Sequence, residues 1–437
     1  MAYDFKTRKL YYNRCRPNEP LKPGDERNLD LDAADPKTPI RGYRWSDHLA
    51  DKIALTDGHV CEFFTGLPGS GKTTELYRLS ANLFASDGAN LLTVYIDAFD
   101  FLETTSPIDI VDILAIIVHA TEARVKGKDP SKPFESSFFM RLWTWMKATD
   151  LELKKGTLKI PGGSSLVFEM KTQAALRLKI RSIIGQNFSH FHKEVEAELR
   201  ELNEKARTKG HEGLVIIFDQ LEKIQGLSQN WVEVLDSTER LFRANKHFMV
   251  LPVHVLYTVP PALITRTGDN QIDFLPMIKI RTEEGEIYEP GIKIARELIR
   301  RRIPDHVIDV ILGEHAEERL RQIILDFGGY PRHMVRALQE LILLNEAPVE
   351  DASFHRALAK IADPYRTIVH VEAYAWLARI AETKQLNLEG LDHTRIADRM
   401  LQELAILRYQ NDNLWFDLHP AVRAIPGVKA LIKQTQD

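Results

Sequence analysis

The chain has 437 residues, more than one ordinary hydrophobic core accommodates, which predicts roughly two to three domains. Its 44% hydrophobic and 27% charged residues are typical of a soluble globular protein, and its net charge of −4 excludes nucleic-acid binding through overall positive charge. The two cysteines, Cys15 and Cys61, exclude a disulfide framework or zinc site and indicate a reducing compartment. Because no signal-peptide core or membrane-spanning segment is recognisable, we expect a cytoplasmic protein without a membrane partner.

Residues 1–45 are predicted to form an N-terminal arm, because they are polar and interrupted by prolines from Pro17 to Pro39. We expect an irregular segment that packs on the domain that follows. Arg41 and Trp45, near the end of the arm, either contact the base of a bound nucleotide or pack the arm in place. Packing is the favoured interpretation.

The sequence GLPGSGKT at 66–73 fits the phosphate-binding pattern G-x-x-x-x-G-K-[ST] at every fixed position. A predicted strand precedes it and a predicted helix follows, the context in which glycines let successive backbone N–H groups face a phosphate. Lys72 would reach the β- and γ-phosphates, and the Thr73 hydroxyl would bind Mg²⁺. The predicted nucleotide-binding residues are Gly66, Leu67, Pro68, Gly69, Ser70, Gly71, Lys72, Thr73 and Thr74.

A second apolar strand is predicted at 90–97, and its composition suits the centre of a parallel sheet. It ends at Asp97, on the edge of the sheet where ligands bind in open α/β folds. A buried helix at 108–120 then returns the chain across the sheet.

Residues from about 122 to 210 interrupt this alternation and are predicted to be an insertion. An aromatic helix is expected at 138–145, a hairpin at 158–168 and a long charged helix at about 174–206. The aromatic face of the first helix is interpreted as core, with a partner surface as the alternative.

The strand predicted at 213–219 delivers Asp219 to its end, where an acid would hold Mg²⁺ opposite Thr73. Further strands are expected at 248–258 and 277–280. Strands that alternate with helices in this way predict an α/β fold, a three-layer parallel-sheet P-loop NTPase domain.

The P-loop domain is predicted to span 46–282, followed by a helical lid at 283–350 and a winged-helix-like domain at 351–437. The lid contains GGYPRH immediately before an apolar helix, with a proline near its first turn. The winged helix is inferred from two helices and a hairpin, predicted at 368–382, 394–404 and 405–418.

GLPGSGKT at 66–73 and VIIFDQLE at 215–222 together resemble the motifs of additional-strand P-loop ATPases, within them the AAA+ and STAND (KAP-like) groups. The resemblance spans most of residues 40–345. It implies that Thr258 is a polar sensor of the γ-phosphate and that Arg332 is a second sensor brought in by the lid. The C-terminal helices and hairpin are similar to the winged helix of origin-recognition-type AAA+ proteins and of many STAND ATPases. No Asn-Lys-x-Asp motif for guanine is present where a GTPase needs one, so ATP with Mg²⁺ is the expected ligand.

The resemblance leaves two roles open. Gln220 stands where typical AAA+ enzymes carry a glutamate that activates water, and a neutral amide cannot accept a proton. Glu222 matches the acid three residues after the aspartate in STAND and KAP-like sequences, so we assign it as the catalytic or water-positioning acid, with Asp97 as a helper. Arg266 is the candidate arginine finger for a neighbouring subunit, or else a solvated loop arginine. The catalytic residues predicted are therefore Lys72, Asp219, Glu222, Thr258, Arg332 and Arg266, with Thr73 and Asp219 as metal ligands.

Three functions follow from these expectations. The first is a regulatory ATPase, slow in hydrolysis, whose nucleotide state controls an ATP-dependent oligomer or a separately encoded effector protein in bacterial defence or signalling. The second is a DNA-binding loader or remodeller that uses the winged helix and the basic residues at 293–302, although acids offset the arginines of the predicted recognition helix. The third is a nucleotide-bound scaffold that does not hydrolyse ATP.

Overall fold

A parallel five-stranded sheet forms the centre of the molecule. The computed structural model describes residues 3–33, 39–149, 166–224, 226, 229–267, 272–410 and 413–434. In the sheet the strands follow the order β2-β3-β4-β1-β5. Their bounds are Cys61–Gly66 for β1, Leu91–Asp97 for β2, Gly213–Asp219 for β3, His254–Thr258 for β4 and Asp273–Leu275 for β5.

The sheet is covered on both faces, which explains why its central strands are apolar throughout. Along β3, Val215 and Ile217 pack towards the helices that begin at Trp45 and Lys72. Ile216 and its alternating neighbours pack towards the opposite layer, which includes the insertion. The predicted three-layer α/β fold is confirmed.

The helices around the sheet follow the predicted alternation. They are Trp45–Ala54, Lys72–Phe84, Ala98–Phe101, Ile110–Val125, Ser137–Thr149, Leu166–Thr172, Ala174–Gln186, Phe188–Thr208, Trp231–Glu239, Lys246–Met249 and Leu263–Thr267. None of the helices that the structure describes is both long and apolar enough to cross a membrane.

The last strand is not where the sequence pattern placed it. We predicted a strand at Met277–Ile280, but β5 ends at Leu275 and Pro276 follows. Proline cannot donate to a ladder, which ends the strand there. The Met277 N–H instead donates to the Arg408 carbonyl at 2.9 Å, so this apolar stretch joins the sheet domain to the C-terminal domain.

The insertion is helical throughout its described part. Residues 150–165, with most of the predicted hairpin, lie outside the described residues, and the second predicted hairpin strand is the helix Leu166–Thr172, so that part of the prediction was wrong. The predicted single helix is two helices that break at Asn187. The aromatic helix Ser137–Thr149 buries Phe138, Phe139 and Trp143 in the main core and packs the partly buried Trp145 against it, which confirms the core interpretation.

The N-terminal arm is more regular than predicted. Phe5–Arg14 is a helix, and its Arg8 guanidinium donates to the carbonyl of Ile342 at 3.1 Å. Cys15 and Leu31 are buried in the same core as the lid helices. The arm is thus fixed to the lid as well as to the sheet domain.

The lid and the C-terminal domain each have their own core. The lid helices are Glu289–Arg300, Asp305–Leu312, Ala316–Asp326 and Pro331–Leu343. Asp351–Ala362 packs in the same core, so the lid core extends beyond the predicted boundary at 350.

The C-terminal domain contains the helices and hairpin expected from the sequence. Its elements are the helices Pro364–Ile368, Tyr374–Thr383, Leu391–Gln402, Pro420–Arg423 and Pro426–Gln434, and the antiparallel strands Ile406–Gln410 and Leu414–Leu418. Its core is continuous with Leu67, Ile264 and Phe274 of the sheet domain. The domain therefore lies against the phosphate-binding loop rather than on a separate linker.

Candidate nucleotide-binding site

The backbone of the loop at 66–73 is shaped as a cradle. Gly69 and Gly71 have φ values of 86° and 102°, in the left-handed region that favours glycine. Gly71 caps the helix Lys72–Phe84, whose free N–H groups attract an anion. A Cβ atom on Gly69 would lie 2.6 Å from the Tyr330 hydroxyl and 2.7 Å from Arg332 Nε, so the lid also requires glycine here.

Lys72 is buried at the centre of this cradle. Its Nζ donates to the Gly66 carbonyl at 2.8 Å and forms an ion pair with Glu222 at 3.2 Å. Burial raises the pKa of the Glu222 carboxyl, but the Lys72 charge, hydrogen bonds and the Lys223 charge together hold that pKa below its ordinary value. Glu222 is the counter-ion of Lys72 in this structure.

Asp219 lies fully buried at the end of β3, beside the P-loop threonine. Its carboxylate accepts hydrogen bonds from the Thr73 side chain and from the Tyr95 hydroxyl, the latter at 2.5 Å. Burial and the nearby Glu222 charge raise the pKa of Asp219 to about 6. A hydroxyl and a carboxylate brought together in this way fit Mg²⁺, which prefers oxygen ligands.

Gln220 and Asp97 lie together at the ends of neighbouring strands. Asp97 pairs with Asp219 in the register of β2 and β3, and the Gln220 amide donates to the Asp97 carboxylate. The Gln220 carbonyl in turn accepts from Lys223 Nζ at 2.5 Å. The amide and the acid are therefore held as one hydrogen-bonded unit at the edge of the sheet.

Thr258 is buried at the end of β4, which pairs with β3, the strand that ends at Asp219. Its hydroxyl accepts from the Leu221 N–H at 3.1 Å and also hydrogen-bonds to the Glu222 side chain. The structure therefore brings the predicted polar sensor to the same edge as Asp219 and Glu222.

The lid contacts the phosphate-binding loop through the segment GGYPRH. The Tyr330 hydroxyl donates to the Pro68 carbonyl at 2.6 Å. Arg332 Nε is buried against Gly69 without a hydrogen-bond partner, and no carboxylate of the described residues lies within ion-pair distance of Arg332. An unpaired cation at this place fits an anionic ligand.

Arg266 lies elsewhere. Its guanidinium forms ion pairs with Asp398 at 2.9 Å, Glu239 at 2.6 Å and Asp236 at 3.2 Å. It is therefore not a solvated loop arginine, because three carboxylates of its own chain hold it. Its predicted role as a finger for a neighbouring subunit stays a prediction.

A cavity of about 410 Å³, within the range of small-molecule sites, is lined by residues 68–74 of the phosphate-binding loop and by Asp97, Gln220, Glu222 and Arg332. Apolar walls come from the arm and the lid, for example Leu21, Leu31, Leu298 and Val335. Sequence reasoning missed this wall and Lys223, and it assigned Arg302 to a possible DNA-binding surface, because no local motif marks residues that only the fold brings together.

Arg41 and Trp45 pack the arm, as the favoured interpretation expected. Arg41 is fully buried and donates to Asp32 at 2.6 Å and to Glu75 at 2.7 Å. The Trp45 indole N–H donates to the Arg41 carbonyl at 3.0 Å, and its ring lies in the core beneath the sheet. Both carboxylates and the guanidinium tie the arm to the P-loop helix.

No protein-family model and no curated protein matches the sequence. Among solved structures, the Aeropyrum pernix ORC2 protein in its ADP form has 13% identity and a TM-score of 0.41, over 98% of each chain. Drosophila ORC bound to DNA has 13% identity and a TM-score of 0.39, over 99% of this chain and 94% of that one. A Walker-type ATPase of Pyrococcus abyssi has 11% identity and a TM-score of 0.39, over 88% and 95%. Similarity at this distance transfers no function to the chain.

Proposed function

We propose that the chain is an AAA+-type ATPase that binds Mg²⁺–ATP between the phosphate-binding loop and the lid. The observation that carries the proposal is the contact between the two parts: Tyr330 holds the Pro68 carbonyl while the unpaired Arg332 faces Gly69. An anion bound at the P-loop would complete this arrangement, because its negative charge would pair with the Arg332 guanidinium.

Each side chain has a proposed role. Lys72 binds the β- and γ-phosphates, Thr73 and Asp219 hold Mg²⁺, and Thr258 and Arg332 respond to the γ-phosphate. The metal, when bound, neutralises charge on the phosphates. Glu222 was predicted from the sequence as the catalytic or water-positioning acid, but its ion pair supports a role as the counter-ion of Lys72.

The proposed role of the ATPase is regulatory. The lid touches the P-loop, and the C-terminal domain packs on Leu67 of the same loop, so a change at the phosphates would alter both contacts. We therefore expect the nucleotide to control self-association or a partner. A separately encoded effector and a defence or signalling setting stay sequence-based predictions.

Binding and size measurements test this proposal. Isothermal titration should give ATP binding that depends on Lys72, and steady-state assays should show turnover that needs Mg²⁺. Light scattering with and without Mg²⁺–ATP should show a change in mass if nucleotide controls assembly. A chain that binds no ATP would contradict the proposal, and a chain that binds it without turnover would be the scaffold of the third hypothesis.

DNA binding is the second candidate function, and it rests on the helix Leu391–Gln402. Arg395 and Arg399 are exposed one turn apart on this helix, which precedes the hairpin in winged-helix order. The full chain and an Arg395→Ala/Arg399→Ala variant should be compared in DNA titrations at several salt concentrations. Loss of salt-dependent affinity in the variant would support this function, and equal binding by both chains would reject the surface.

A further inference from the structure

We propose that Asp97, not Glu222, is the general base of ATP hydrolysis, and that Gln220 is the positioning residue that holds it. This inference rests on the proposed ATPase function and names the residue that accepts the proton from water. The glutamate usual at the position of Gln220 is thereby replaced by an acid on the neighbouring strand.

Glu222 is poorly placed for this role. Its side chain is 2% exposed and one of its oxygens lies 3.2 Å from Lys72 Nζ. Thr258 also hydrogen-bonds to it. A carboxylate that neutralises a buried lysine cannot take up a proton without leaving that lysine unpaired, which is costly in a buried site.

Asp97 has the access that Glu222 lacks. It is only partly buried, and it lines the same cavity as Lys72 and Thr73. Its register with Asp219 places the two residues on adjacent strands, whose spacing is about 4.8 Å. A water that reaches the γ-phosphate in this cavity would therefore lie near the Asp97 carboxylate.

Gln220 fixes the orientation of that carboxylate. The Gln220 amide donates to one Asp97 oxygen, and the Phe99 N–H donates to the other at 2.9 Å. Lys223 donates to the Gln220 carbonyl, which determines the orientation of the amide. Each carboxylate oxygen has a second lone pair, so Asp97 can still accept a hydrogen bond from water. The backbone of Gln220 has a φ of 69°, which is rare for residues other than glycine. Such backbone conformations cluster at functional sites.

The proposed step is balanced. The oxygen of water forms a bond to the γ-phosphorus while the bond between the γ-phosphorus and the oxygen shared with the β-phosphate breaks. The proton of the attacking water passes to the Asp97 carboxylate, and ADP and phosphate are the products. The electron pair of the broken bond stays on the ADP oxygen.

Isosteric amide variants distinguish the proposed roles of Asp97 and Glu222. Asp97→Asn should lower kcat by roughly 10²–10⁴-fold, the usual contribution of a general base, with the Kd for ATPγS unchanged within about threefold. Glu222→Gln leaves Lys72 without its counter-ion, so its melting temperature and its Kd for ATPγS should change, while its loss of kcat at saturating ATP should be smaller than that of Asp97→Asn. Asp100→Asn, at an exposed position three residues further on, is the matched control and should behave as wild type.

A binding measurement tests the assignment of Asp97 as general base independently of the hydrolysis rate. Asp97→Asn should weaken binding of ADP with aluminium fluoride, which mimics the phosphoryl group in transfer, while binding of ADP alone stays unchanged. For Gln220→Ala we expect kcat to fall about tenfold at constant KM and constant melting temperature, the signature of a lost positioning contact.

The outcomes distinguish the two levels of the proposal. Near-normal turnover in Asp97→Asn, or a hundredfold loss in Glu222→Gln alone, would overturn the assignment and leave the ATPase function standing. An unchanged kcat in Gln220→Ala would overturn the role of Gln220. Absence of turnover in the wild-type chain would contradict the proposed function itself, and with it the need for any base.

Discussion

Arg332 and Arg266 were both predicted to act on a γ-phosphate, yet they lie in opposite surroundings. Arg332 is at the P-loop with its Nε buried and without a partner. Arg266 is held by three carboxylates, of which Asp398 is fully buried and belongs to the C-terminal domain. The difference teaches that an arginine is available to a ligand only when its own chain leaves it unpaired, which the position of a residue in a motif does not reveal.

Lys72 is intermediate in the number of its carboxylate partners, because it forms an ion pair with Glu222 alone among the described residues. Lys72→Ala should reduce ATP affinity and turnover by about 10³-fold or more, since it removes the charge that meets the β- and γ-phosphates. Titration calorimetry and a phosphate-release assay would measure the loss. Lys132→Ala, at a side chain 75% exposed, is the control and should change neither quantity. Normal binding by Lys72→Ala would mean that the cavity is not the ATP site.

Because Arg266 is paired with three carboxylates, we expect its substitution to change the stability of the protein and not its affinity for nucleotide. Arg266→Ala leaves Asp398 buried without its cation, which should lower the free energy of unfolding by on the order of 3 kcal/mol. Chemical denaturation followed by circular dichroism measures this change. Arg243→Ala breaks only an exposed pair with Glu239, and its effect should be below about 1 kcal/mol. Equal stability of the two variants would show that the ion pairs of Arg266 do not hold the C-terminal domain.

The carboxylate of Asp219 predicts that the affinity for Mg²⁺ depends on pH. Burial and Glu222 raise the pKa of Asp219 to about 6, so protons compete with Mg²⁺ below that pH. Because the raised pKa disfavours the ionised form, Mg²⁺ affinity should rise as pH increases through 6 and should be about tenfold weaker at pH 5 than above pH 7. Mg²⁺ titrations of the ATP complex at several pH values test this. The dependence should be weaker in Asp219→Asn, where the terminal phosphate of ATP still titrates near this pH, and a dependence as strong as in wild type would assign it to a group other than Asp219.

The smallest predicted effect is that of substituting Tyr330, because only its hydrogen bond to the Pro68 carbonyl would be lost. Tyr330→Phe removes the donor to the Pro68 carbonyl and should cost about 1 kcal/mol in stability. If this bond also holds Arg332 in place, the affinity for ATP should fall several-fold while the affinity for ADP is kept. Thermal unfolding and nucleotide titrations on the same preparation separate the two effects. A variant with unaltered stability and affinity would show that the contact is incidental.

The sequence predicted the parts of the site that local motifs encode. The P-loop, the strand that ends at Asp219, and the positions of Thr258 and Arg332 follow from patterns within a few residues. The partners of these groups did not follow, because the ion pair of Lys72 with Glu222 and the bond from Tyr330 to Pro68 join distant segments.

Two element predictions failed for physical reasons that can be named. The apolar run Met277–Ile280 is buried as strands are, but Pro276 ends β5 and the run packs between the lid and the C-terminal core. The hairpin pattern at 158–168 predicts a strand at 166–168, yet these residues begin a helix whose apolar side chains pack in or against the main core. In both cases tertiary packing decided what short patterns could not.

The most direct test is the ratio of the ADP and ATP dissociation constants of Arg332→Ala, measured by titration calorimetry beside wild type and Arg336→Ala. Arg336 is exposed one turn further along the same helix and serves as the matched control. If Arg332 meets the γ-phosphate, wild type and Arg336→Ala should prefer ATP over ADP, and Arg332→Ala should lose about tenfold of that preference with its ADP affinity unchanged. An identical preference in all three chains would contradict the proposal that the lid arginine completes the nucleotide site.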